Sequence, residues 1–187
     1  MAEIETKDPV HTTVCVLTDK EEIGSDGVTG MQSMYVFHFL QLLCRAAGQD
    51  DIIAFQNSVC LSADVTAAYD PNFSEVYERR NAAYVNYGVG LCKYTGSGGK
   101  GGASDASAEA MGHVRSTLDK AGVIWQIATL GKVDQGGGGT VAAYMANRNI
   151  VTVDAGVPVL SMHAPLELVS KLDCYETMLA CKAIYLA

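Results

Sequence analysis

Short apolar runs alternate with stretches of helical spacing along the chain, and this alternation constrains the fold more than any other feature. Thr12–Leu17, Ser58–Ala63 ("SVCLSA"), Val89–Thr95, Val123–Thr129, Ile150–Val153 and Val157–Met162 read as strands. Between them, Gly30–Ala47 reads as a mostly apolar helix. Ser104 reads as the N-cap of a helix to about Lys120, with Ala110, Val114, Leu118 and Ala121 on one stripe. Val141–Asn147 reads as a short helix. Pro165 opens a last one, with Val169, Leu172, Tyr175 and Leu179 turned inward. Alternating strands and helices predict an α/β fold, a sheet with helices on both faces. In such folds functional groups gather at the carboxyl ends of strands. Glu21/Glu22, Asp64 and His163 are expected at such ends.

With 187 residues the chain suits one domain with a real core, and neither an internal repeat nor a domain linker interrupts it. A net charge of −8 argues against nucleic acid as a partner, since phosphates would be repelled. No apolar run reaches membrane-spanning length, and the acidic start "MAEIETKDPV" is not a secretory signal. Cysteines 15, 44, 60, 92, 174 and 181 form no C-x-x-C. They read as reduced thiols of a cytoplasmic protein rather than as disulfides or a zinc ribbon.

Several motifs carry possible chemistry. Residues 96–101, "GSGGKG", fit G-x-G-x-x-G between a strand and a helix, the setting of a dinucleotide-binding loop. The next strand, however, ends without the acidic residue that holds a ribose. Lys100 precedes a glycine, so a Walker loop fails as well. A tight loop lining another pocket fits better. Four glycines, Gly136–Gly139, point to close backbone approach, with amides able to hold a carboxylate or a peptide. His11, His38 and His113 read as packing or solvent-exposed residues, whereas His163 sits where a strand gives way to a helix. Asp64 could simply cap a turn. The adjacent Glu21 and Glu22 are either a solvated edge or a working pair. In the second case one carboxylate would bind a metal and its neighbour would face the metal's water.

Read in order, "DKEEIGSDGVTGMQS", "SADVTAAYDPNF", "GSGGKGGASDASAE", "GKVDQGGGGT" and "DAGVPVLSMHAPLELVSKLDCYE" resemble successive blocks of the aspartyl aminopeptidase/aminopeptidase I family. The blocks span nearly the whole chain, Thr12 to Ala187. The resemblance implies a three-layer α/β/α sandwich with a mixed sheet, of the zinc-exopeptidase kind and incomplete at its N-terminal side. It implies two zinc ions, for which cobalt or manganese can substitute, and a peptide with a free N-terminus as substrate. Glu21 would be the general base and acid. Glu22 and His163 would bind one zinc and Asp64 the other. Lys100, Gly137 and Gly138 would line the substrate pocket. The family's H-x-D histidine and its zinc-bridging aspartate have no counterpart here, nor has its inserted oligomerisation domain. The expectation is therefore a single partial catalytic domain over residues 1–187, from an enzyme that is a homo-oligomer when complete. A dinucleotide-binding oxidoreductase built on the 96–101 loop, or an inactive domain with a structural or interaction role, are the alternatives.

Overall fold

Sequence alternation becomes a mixed sheet in the computed structural model, which describes residues 9–187. Two helices come first, α1 (Tyr35–Ala46) and α2 (Asp51–Gln56), followed by strand β1 (Val59–Ala67). Strand β2 (Val89–Cys92) leads into a ribbon of β3 (Tyr94–Ser97) and β4 (Gly101–Asp105). Helix α3 (Ala108–Ala121), β5 (Trp125–Ala128) and the short α4 (Ala142–Ala146) come next. The chain ends in β6 (Val151–Leu160), β7 (Leu168–Val169) and α5 (Lys171–Tyr185). The main sheet has the order β1-β6-β2-β5, with β7 also on β6. Strand β6 is parallel to β1 and antiparallel to β2 and β7, while β2 is parallel to β5.

Side chains alternate across a strand, so each strand serves two layers. Val153 and Ala155 of β6, Leu61 of β1 and Val89 and Leu91 of β2 turn to one face. There they meet Val114 and Leu118 of α3 and Ala180 of α5. On the other face, Phe37 of α1, Phe55 of α2 and Met145 of α4 gather over Cys60 and Ile150. The fold is thus helices, sheet, helices, as expected. No helix among the described residues is long and apolar enough to cross a membrane.

Several local readings are corrected. Thr12–Leu17 forms no strand; Leu17 is almost wholly exposed. β-Branched residues give propensity, but a strand exists only with a ladder partner, and none pairs with this run. The expected helix from Gly30 begins at Tyr35, because Gly30 pairs with Asp19 and the Ser33 hydroxyl turns back to the Val28 carbonyl. Helix α2, capped by Asp50, escaped the sequence reading. Asp64 lies inside β1 rather than at its end, since pairing with β6 continues to Ala67. The two strands expected at 150–162 are one, because Gly156 stays in the ladder. Val89–Thr95 breaks at Lys93, where the chain leaves the main sheet for the β3–β4 ribbon. The N-cap of α3 is Ser107, not Ser104, which is paired in β4.

The final helix departs most from expectation. It starts at Lys171 behind an N-cap at Ser170, because Leu168 and Val169 pair with β6 first. Leu172 and Tyr175 face solvent, and Leu179 is partly buried. The buried stripe is Asp173, Glu176 and Ala180. Asp173, 0% exposed, accepts the amides of Asn86 and Gly88 at 2.8 Å each. Glu176 accepts the amide of Ile124 at 2.8 Å. Two carboxylates of one helix therefore hold the backbone that enters β2 and β5. Gly88 is required there: at φ +85 any Cβ would lie 2.1 Å from the Ile124 carbonyl oxygen.

A third buried carboxylate, Asp154, lies in β6 opposite Ser62 and Cys92. It accepts the Ser62 hydroxyl at 2.7 Å, and the Thr140 hydroxyl lies near it. Burial pushes its pKa up to about 7. Those hydroxyls counter the rise, and the nearby Asp64 and Glu21 add to it.

These carboxylates generate two expectations. Replacing Asp173 by Ala strands two buried donors and should cost about 3 kcal/mol or more in urea unfolding. Asp173→Asn, which keeps an acceptor, should cost less. A loss below about 1 kcal/mol for the Ala variant would show that α5 is not held this way. Asp154 gives a pH signature. An unfolded aspartate titrates near 3.9, roughly its model-peptide value. The folded chain holds this proton up to about pH 7. Its stabilising contribution is complete below about pH 4 and is lost as pH rises through 7. Urea midpoints should fall over that window more in the wild type than in Asp154→Asn. Parallel curves for the two proteins would contradict the assignment.

Candidate metal centre

Glu21 and Glu22 belong to a single 3-10 turn, Glu21–Ile23. Three residues per turn set neighbouring side chains about 120° apart, so adjacent glutamates can serve different positions. The turn is held by its surroundings. Lys20 at φ 62 and Gly24 at φ 92 bracket it, and the Ser25 amide bonds the Lys20 carbonyl at 2.7 Å. Gln32 Nε2 donates to the Gly24 carbonyl at 2.7 Å. Gly30 has no room for a side chain, since a Cβ would lie 2.1 Å from the Ser25 oxygen.

His163 stands in the turn after β6, where both it and Ser161 take left-handed backbone at φ 65 and φ 60. Residues with side chains avoid that region. The His163 amide donates to Glu167 Oε1 at 2.5 Å, which fixes the turn. Its Nδ1 lies 3.4 Å from Glu22 Oε2. Asp64 projects from β1 on the same face as Ser62 and Thr66, and its Oδ1 accepts the Val65 amide at 2.8 Å.

Glu22 and His163 therefore meet although they lie near opposite ends of the sequence. Glu21 is half-buried and Glu22 exposed. Burial raises the Glu21 pKa most. The Asp64 and Glu22 carboxylates raise it further, and His163 opposes them. A carboxyl tuned upward holds a proton more readily than a free glutamate, the direction that suits proton exchange. Carboxylate oxygens and an imidazole nitrogen are also donors that zinc accepts. Glu22 and His163 stand as a pair, with Asp64 separate from them. Among the described residues no group of three or more His, Cys, Asp or Glu side chains could hold a metal ion.

The predicted pocket residues form a second unit. Residues 96–102 are mostly the turn of the β3–β4 ribbon rather than a free loop. Gly96 and Gly98 amides donate to the carbonyls of Gly138 and Gly136 at 2.8 and 2.9 Å. A Cβ on Gly137 would lie 2.3 Å from the Gly96 oxygen, so the two glycine segments lie backbone on backbone. Lys100 is exposed at the ribbon tip. The 96–101 motif thus closes an antiparallel ribbon and opens no helix, which removes the geometry a dinucleotide needs. Sequence reasoning missed Asp154 and Ser62, whose hydrogen bond joins β6 to the strand carrying Asp64. Its signal was an aspartate inside an apolar strand, "VTVDAGVPVL", read there as a break between two strands.

Comparison with known proteins gives the family. Residues 1–185 match the family described as aminopeptidase I zinc metalloprotease (M18). A probable M18 family aminopeptidase 1 from Borreliella burgdorferi is 46% identical over 183 residues, covering 95% of this chain and 40% of the relative. The crystal structure of an M18 aminopeptidase from Thermotoga maritima superposes with a TM-score of 0.84 at 43% identity, covering 90% of this chain and 38% of that one. The mApe1 dodecamer of S. cerevisiae has a TM-score of 0.67 at 26% identity, covering 90% of this chain and 36% of that one. The chain spans about 40% of the length of the curated relatives it matches. By the family match over residues 1–185 and the likeness of its mixed α/β sheet to solved M18 enzymes, the chain belongs to the M18 family of zinc metalloproteases, whose named members are aminopeptidases.

Proposed function

We propose that this chain carries part of the catalytic centre of a two-zinc aminopeptidase that removes the first residue of a peptide with a free N-terminus. The observation that carries the reading is the approach of His163 to Glu22 at 3.4 Å, beside the half-buried Glu21 in the same turn, in a chain of the M18 family. In this reading Glu22 and His163 would hold one zinc and Asp64 the other, each completed by ligands from the rest of the enzyme. Zinc, when bound, supplies Lewis acidity and a more acidic water. Cobalt or manganese would serve in the same donor set.

Glu21 then takes the proton from water and hands it to the leaving amine nitrogen. Its raised pKa fits both halves of that exchange. Exposed amides at Gly137 and Gly138 would guide the peptide backbone. Lys100, the only cation in residues 96–102, would meet an acidic first side chain. The complete enzyme would be a cytoplasmic homo-oligomer. The dodecameric yeast relative supports the assembly, and the free state of all six cysteines fits a reducing compartment.

Two measurements test the roles. In the complete enzyme, Glu21→Gln should keep its zinc content and slow turnover by about 10²–10⁴-fold, the usual worth of general acid–base catalysis. Glu22→Ala should lose metal from one site; equal zinc loss in both variants would reverse the assignment. Lys100→Ala should raise KM about fivefold more for an N-terminal Asp substrate than for a Leu one, the scale of an exposed ion pair. An unchanged ratio of kcat/KM between the two substrates would rule out Lys100 as the reader of acidic residues.

A further inference from the structure

The Glu21–Ile23 turn gives no side chain to the core: none of its residues is buried, and Ile23 is 72% exposed. Its direction is therefore set by hydrogen bonds. Some lie within it and fix only its shape. The Ile23 and Ser25 amides donate to the Lys20 carbonyl at 3.3 and 2.7 Å, and the Gly24 amide donates to the Glu21 carbonyl at 3.0 Å. Others tie it to the chain around it. The Gln32 amide donates to the Ser25 carbonyl at 3.1 Å, and Gln32 Nε2 donates to the Gly24 carbonyl at 2.7 Å. The Tyr144 hydroxyl of α4 reaches the same Gly24 carbonyl at 3.4 Å, a longer bond. Just ahead of the turn, Asp19 pairs with Gly30 and accepts the Thr29 hydroxyl at 2.9 Å.

Gln32 thus holds two consecutive carbonyls, one with its backbone and one with its side chain. A single hydrogen bond leaves the turn free to swing about it, and a second on the neighbouring peptide removes that freedom. Any residue but proline could supply the backbone bond. The side-chain bond needs a neutral amide of this length: asparagine falls one methylene short, and an ionised glutamate has no proton to donate. Packing does not account for the residue, because Gln32 is exposed. Its neighbour Met31, 3% exposed, is fixed in the cluster of Phe37 and Ile150, so the grip is anchored to the core one residue away. We propose that Gln32 is a positioning residue that, through the Gly24 and Ser25 carbonyls, holds the Glu21–Ile23 turn at the angle that brings Glu22 to His163. The consequence for turnover rests on the aminopeptidase reading; the grip on the turn does not.

The first test is amide hydrogen exchange, read residue by residue by NMR on the metal-free chain. Gln32→Met keeps the length of the side chain and loses the donor. It should speed exchange at the Gly24 and Ser25 amides about fivefold, the worth of one hydrogen bond, while Leu91 and Val153 in the sheet stay at the wild-type rate. Gln32→Asn keeps the amide but not the reach, and should behave as Gln32→Met does. Unchanged exchange at Gly24 and Ser25 in Gln32→Met overturns the proposal. So does an equal acceleration across turn and sheet, or wild-type exchange in Gln32→Asn. The second test is kinetic. In the complete enzyme at saturating zinc, Gln32→Met should lower kcat about tenfold and leave KM within about twofold, the pattern of a misplaced reacting group. An unchanged kcat, or a change in KM alone, overturns the positioning role. If Glu21→Gln leaves turnover intact, the aminopeptidase roles fail, and the exchange rates still decide whether Gln32 holds the turn.

Discussion

Strand β6 is the element on which the sheet depends. It pairs along its length with β1, and on its other side with β2 and β7. Without it β1 would have no ladder partner and β2 would pair only with β5. Its alternation also assigns the two layers. Val153 and Ala155 go to the core under α3 and α5, and Asp154 goes to the face that carries Asp64. A slip of one residue would drive the carboxylate into the apolar layer and lift two core residues toward the site. Gly156 tightens this pairing. A Cβ there would lie 2.6 Å from the Val65 carbonyl carbon, so only glycine lets the strands approach.

The architecture was legible because it rests on period and alternation. Apolar runs of strand length separated by helical stripes survive small errors at their ends, and the layered sheet emerged as expected. Readings failed where polarity was taken to mean exposure or a boundary. Asp64 was read as the end of a strand and Asp154 fell in a gap between two, yet each lies within one strand. Asp173 and Glu176 were left outside the inward stripe, yet they are the buried face of α5. The buried acids are stabilised by donors distant in sequence: Asn86 and Gly88 for Asp173, Ile124 for Glu176, Ser62 for Asp154. A linear pattern holds no record of such partners, so hydropathy assigns the residue to the wrong side. Thr12–Leu17 failed in the opposite sense, with strand propensity but no ladder.

The candidate site was legible for a different reason. Its residues are short motifs whose order along the chain carries the family resemblance, and the fold brings two of them, Glu22 and His163, within 3.4 Å while Asp64 stands apart. Their environment was not legible. That Glu21 is half-buried, that its neighbour in the 3-10 turn is exposed, and that Asp154 lies beneath them all follow from tertiary packing.

That environment bears on why such a site takes a cation. Asp64, Glu22 and Asp154 add negative charge around Glu21, while His163 is the one imidazole among them. Like charges at short range raise one another's pKa values, so the cluster resists full ionisation. Two responses are open to the molecule: carboxyls can keep their protons, or positive charge can enter. The first is visible in the raised pKa of Glu21 and in that of Asp154, about 7, where burial is the main cause and the neighbouring carboxylates add to it. The second relieves the same repulsion. A divalent ion beside Asp64 or Glu22 lowers the potential that holds protons on their neighbours, so metal entry and proton release are coupled. The residue best placed to feel that coupling is Glu21, which all three of Asp64, Glu22 and His163 influence directly. A proton-carrying glutamate whose basicity follows the charge of the adjacent centre is matched to that centre by construction. The side-by-side placement of Glu21 and Glu22 on a single 3-10 turn is the simplest backbone that achieves it.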